Sequence, residues 1–119
     1  MRKDERMRKY LILNKPVNDT KKIMIYDCSE GVYVFYYDSV DDVPGIADEW
    51  YEDLNTAEQM CREKFGFQEN DWISVDDPME YCQHDIIAPV RIKGRNEEKP
   101  QWGTYEKCID GKWAEIQFN

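Results

Sequence analysis

Apolar residues along this chain alternate mostly with a period of two and once with a period near four. The clearest period-two segments are Ile23-Met24-Ile25-Tyr26-Asp27-Cys28 and Val32-Tyr33-Val34-Phe35-Tyr36-Tyr37. Ser29-Glu30-Gly31 joins them, and a three-residue loop with glycine at its left-handed position predicts a bulged hairpin. The second arm is apolar on both faces, as a central strand is. Lys9–Leu13 reads as a short first strand, and Asn14–Lys22, with Pro16, as a polar loop. Trp72–Val75 is a further short strand. Ile86–Lys93 predicts another, with Ile86, Ala88, Val90 and Ile92 on one side. Pro89 has no N–H for a ladder, which puts that strand at an edge or a bulge. Asp110-Gly111 predicts a two-residue hairpin at the end of the chain. Its register puts Tyr105, Ile109, Ala114, Ile116 and Phe118 on the core face. Trp102, Cys108 and Trp113 fall on the other, where Glu106 stands opposite Glu115. Like charges facing across strands are unfavourable, so either that face is fully wet or a cation sits there, for which Arg91 or Lys93 on a neighbouring strand is the candidate.

The helical period occurs once. Ala57, Met60, Cys61 and Phe65 share a face, Asn55 and Glu58 resemble a capping box, and Gly66 is the stop. The expected fold class is therefore α+β: a mainly antiparallel, mixed or strongly curved sheet of about six to seven strands, with one main helix over residues 56–65 packed on it. Residues 1–8 are expected to be a poorly ordered basic extension, with Met7 as a second candidate start, and 9–119 a single domain.

Charge changes the functional picture more than the fold. The 119 residues carry a net charge of −9. Residues 1–22 hold eight Lys/Arg and three Asp/Glu, whereas 23–119 hold eight Lys/Arg and 22 Asp/Glu. Such an acidic body repels nucleic acid and anionic lipid and attracts basic proteins. No apolar run approaches the ~20 residues of a membrane span, and no export signal is visible, so a cytoplasmic protein is expected. The four cysteines, at 28, 61, 82 and 108, contain no C-x-x-C pair, and reduced thiols are expected.

Three stretches carry candidate chemistry. Cys82-Gln83-His84-Asp85 places a thiol, the only imidazole and a carboxylate within four residues. At strand spacing Cys82 and His84 share a face, which suits a nucleophile and its base, or, with Cys108, zinc. The C-x-H spacing is not a chelating signature, no oxyanion-hole glycine adjoins Cys82, and an ordinary loop is the stronger reading. Arg91, Lys93 and Arg95, with Lys99 nearby, form a basic island able to hold an anion, or to pair with the chain's own carboxylates. Asp38–Leu54 holds seven acids and no Lys or Arg. Within it Asp48, Glu49, Trp50, Tyr51, Glu52 and Asp53 suit a partner-binding surface, aromatic anchors amid carboxylates that steer a basic protein.

With one histidine and no P-loop, dinucleotide fingerprint, H-E-x-x-H or nucleophile elbow, an enzyme is the minority reading, and neither cofactor nor metal is expected. The leading expectation is a small acidic cytoplasmic binding protein for a basic protein partner. The alternative is a small-molecule or hydrolytic site centred on Cys82, His84 and Arg91. In size, acidity and layout the chain is similar, in general type and on no motif, to the small inhibitor and immunity proteins that bacteria make against toxins.

Overall fold

The computed structural model describes residues 7–28, 30–76 and 82–117. Contacts divide the chain into two compact units, Met1–Asp77 and Pro78–Asn119. Among the described residues eight strands form two antiparallel sheets of five and three, and a single α-helix packs on the larger, so the fold is α+β as expected.

The first unit is a meander closed by one return strand. β1 (Met7–Val17), β2 (Thr20–Cys28), β3 (Gly31–Tyr37) and β4 (Ala47–Tyr51) follow in sequence, and β5 (Ile73–Val75) pairs with the free side of β1, giving the order β4-β3-β2-β1-β5. β3 is internal, as its apolar pattern implies. The helix α1 spans Leu54–Phe65. Its Ala57 and Cys61 are buried against Leu11, Leu13, Ile23, Ile25, Val32, Val34 and Tyr36 on one face of the sheet. Tyr51, Leu54, Phe65, Phe67 and Trp72 close the rim of that core.

Several boundaries differ from the sequence reading. β1 starts at Met7 and runs through Pro16 to Val17, where a loop was expected. The turn explains this: Asn18 and Asp19 both have positive φ, 49° and 67°, and Val17 pairs with Thr20. Pro16 is tolerated because the β1–β2 register shifts between Ile12 and Val17, so the missing donor interrupts no regular ladder. Of the extension expected to be poorly ordered, residues 1–8, Met7 and Arg8 lie in β1, with Arg8 buried, and residues 1–6 lie outside the described residues. In the first hairpin Cys28 pairs with Gly31, so the arms close one residue earlier than the three-residue loop predicted. The helix is capped by Asp53 instead of Asn55: the Asp53 carboxylate accepts from the Thr56 amide at 2.7 Å. The expected stop is right, with Gly66 at φ 63° and its N–H on the Arg62 carbonyl.

The second unit holds β6 (Val90–Ile92), β7 (Tyr105–Ile109) and β8 (Lys112–Ile116), in the order β6-β7-β8. Asp110 and Gly111, at φ 51° and 80°, make the two-residue turn that the sequence predicts. The expected register also holds: Cys108 faces Trp113 and Glu106 faces Glu115. The expected Ile86–Lys93 strand shrinks to Val90–Ile92, because the chain bends at His84–Asp85 and Ile87–Ala88 and Pro89 offers only its carbonyl, which accepts from Cys108 N at 3.0 Å. Ile109 and Ala114, assigned to the core face, are exposed, whereas Val90 and Ile92 are buried. Ile109 ends β7 beside the turn and Ala114 lies on the outer strand β8, whereas the buried part of the face is where β6 lies. Phe118, expected on the same face, lies outside the described residues.

Candidate functional site

The acidic aromatic segment is the most constructed surface of the first unit. Residues 47–51, which the sequence reading assigns to no element, form edge strand β4 beside β3. The pairing Val32↔Tyr51, Val34↔Glu49 and Tyr36↔Ala47 puts Ala47, Glu49 and Tyr51 on the helix-covered face. Asp48 and Trp50 therefore lie on the opposite face, level with Phe35 and Tyr33.

Glu49 organises the first of these faces. Its Oε1 accepts from the Tyr36 hydroxyl, from the Tyr51 hydroxyl at 3.2 Å and from Lys64 Nζ at 2.7 Å. Lys64 also reaches the Tyr36 hydroxyl at 3.4 Å and lies over its ring. The Lys64 and Tyr36 hydrogen bonds lower the Glu49 pKa, and the same contact with Glu49 raises that of Lys64. Burial, reinforced by the hydrogen bond to Glu49, pushes the Tyr36 phenol up. Each group is thus held in the charge state that it has at neutral pH. A general acid or base, by contrast, needs a pKa near the working pH.

Beside this cluster runs an open groove of about 530 Å³. Val17, Ile46, Ala47 and Phe65 supply apolar walls, and Thr20, Tyr36, Glu49 and Lys64 supply polar ones. Sequence reasoning missed Val17, Ile46, Lys64 and Phe65 as neighbours. The signal for Val17 was Asn18-Asp19, two residues that accept positive φ and so extend β1 to the turn.

Trp50 faces away from that groove and remains 51% exposed. Its indole N–H donates to the Glu30 carbonyl at 3.1 Å, and its ring lies against Gly31. Asp48 and Glu52 are exposed, and Asp53 is occupied as the helix cap. The six predicted partner-binding residues therefore have different duties. Glu49, Tyr51 and Asp53 hold local structure, and Asp48, Trp50 and Glu52 face outward.

In the second unit Cys82 is buried and His84 is exposed, so thiol and imidazole lie in different surroundings. Cys82 forms an isolated β-bridge with Arg91, and Gln83 N donates to the Val90 carbonyl at 2.6 Å. Asp85 is half-buried in the bend that follows. Among the described residues no three His, Cys, Asp or Glu side chains converge as metal ligands. Arg91 Nε reaches Glu106 at 3.2 Å, and its guanidinium lies 3.7 Å from the centroid of Trp113. Lys93 Nζ reaches Glu115 at 2.6 Å. The basic island thus answers the facing glutamates, both cations serving where one was expected. Arg95 and Lys99 are exposed at and beside a short 3-10 turn, Arg95–Glu97.

No helix of the described residues is long and apolar enough to cross a membrane. No protein-family model, curated protein or solved structure matches this chain.

Proposed function

We propose that the chain is a small acidic binding protein of the cytoplasm that docks on a basic protein through the β4 side of its five-stranded sheet. The observation that carries this reading is Trp50, half exposed on an edge strand. It lies in a stretch, Asp38–Asp53, that holds seven carboxylates and no Lys or Arg. An exposed indole amid carboxylates combines the anchor that dominates binding energy with the charge that speeds encounter. Asp48, Trp50 and Glu52 are the contact residues. The reduced thiols of Cys28, Cys61 and Cys108 are compatible with the cytoplasm.

The alternative centred on Cys82, His84 and Arg91 has less support. The thiol is buried, the imidazole is exposed, and Arg91 is engaged by Glu106 and Trp113. Affinity capture from the protein's own cell lysate separates the two. The reading expects a basic protein retained at low salt, released at high salt, and lost with Asp48→Lys/Glu52→Lys or Trp50→Ala, but not with Cys82→Ser. Retention that ignores the β4 changes and disappears with Cys82→Ser overturns it.

A further inference from the structure

We infer that β4 binds its partner by strand addition, taking an extended segment in which apolar residues alternate with Lys or Arg. The inference rests on the basic-partner reading and specifies its geometry. β4 is the terminal strand of its sheet, and Ala47, Asp48, Glu49 and Trp50 are exposed along it. An edge of this kind offers backbone N–H and C=O groups to an incoming strand, and alternate side chains of that strand fall on opposite faces.

The two faces of β4 ask for different chemistry. On the side of Ala47 and Glu49 lies the groove of about 530 Å³, walled by Val17, Ile46 and Phe65. It has room for an aliphatic or aromatic side chain projecting from an added strand. Its Lys64 and Tyr36 are already bonded to Glu49. On the other side Asp48 and Trp50 form a carboxylate next to an indole, which suits a Lys or Arg placed over the ring. An alternating apolar–cationic segment satisfies both faces in one register, and a segment with its charges in a block satisfies neither. A second copy of this chain is a poor occupant, because pairing β4 with itself brings together two copies of the same acidic stretch, Asp48, Glu49, Glu52 and Asp53.

The test uses two capped synthetic peptides of about eight residues, a length near that of a typical strand. One alternates Val with Lys, and the other has the same composition in two blocks. The inference expects the alternating peptide to bind the full chain at least about tenfold tighter. It also expects slowed hydrogen exchange at amides within Ala47–Tyr51 on binding. Ala47→Leu, which fills the groove mouth from an exposed position, should remove that preference. Equal, salt-sensitive binding of both peptides overturns strand addition while leaving the acidic-face reading intact. Binding of neither peptide, or binding with no protection of β4, also overturns it. The lysate capture then decides the broader reading separately. Exchange protection on the unmodified chain keeps the test decisive even where Ala47→Leu fails to fold.

Discussion

At Gly31 one hydrogen atom does what no side chain could. Its φ is 126°, and a Cβ built there would lie 2.3 Å from the Trp50 Nε1. Gly31→Ala therefore displaces the indole and strains the backbone, and we expect a loss of about 1–3 kcal/mol in urea unfolding. Adding Trp50→Ala should recover the steric part and leave the backbone part. Glu49 makes a second residue-scale case. Because its folded pKa is lowered, its stabilisation is present above the unfolded carboxylate value and disappears as pH falls through the folded one. Its side chain is 44% exposed, so solvent screens the pair with Lys64. Glu49→Gln should thus cost only about 0.5–1 kcal/mol at pH 7. The gap between variant and parent should close on acidification below about pH 4, where free carboxylates protonate. Among the thiols, burial pushes Cys61 up to about 11. A thiol reagent at neutral pH should label the half-buried Cys28 and Cys108 first.

The helix and the terminal hairpin show what a local pattern can and cannot specify. The apolar period locates α1 and its stop, but Asn55 and Asp53 are both good caps by type, and only the backbone at Asp53, at φ −144°, is extended enough to serve. Asp53→Ala should lower helix content and melting temperature, and Asn55→Ala should change neither appreciably; circular dichroism distinguishes them. In the hairpin the Asp110-Gly111 turn and strict alternation determine the register, so the Glu106–Glu115 clash and its cationic remedy were both legible. Arg91 now has two attachments, to Glu106 and to the Trp113 ring, with its side chain 14% exposed. Arg91→Ala should cost about 1–2 kcal/mol in urea unfolding, more than Lys93→Ala, whose partner lies at the surface. The edge strand β4 was not legible, since five residues with two carboxylates and an exposed indole among them do not read as a strand. It is a strand because β3 supplies its ladder. The groove was equally hidden, being assembled from four separate stretches of chain.

The whole molecule divides its charge unequally. Residues 7–76 contain 15 Asp/Glu and seven Lys/Arg, whereas residues 82–117 contain six of each. Self-repulsion is therefore concentrated in the first unit, and added salt should raise its melting temperature by screening it. The same salt should weaken capture of a basic partner, so stability and binding are expected to respond to ionic strength with opposite signs. A further consequence follows from the order β4-β3-β2-β1-β5. The first three strand pairings join neighbours in sequence, and such local contacts form early. Arg8, Lys9 and Tyr10, by contrast, pair with Val75, Ser74 and Ile73, more than sixty residues downstream. During synthesis the outer edge of β1 stays open until the ribosome has released residues 73–75. A nascent chain stopped before that point leaves unpaired the stretch of β1 that carries the basic residues Arg8 and Lys9. A chain stalled there is a better target for self-association, or for a chaperone, than the finished protein.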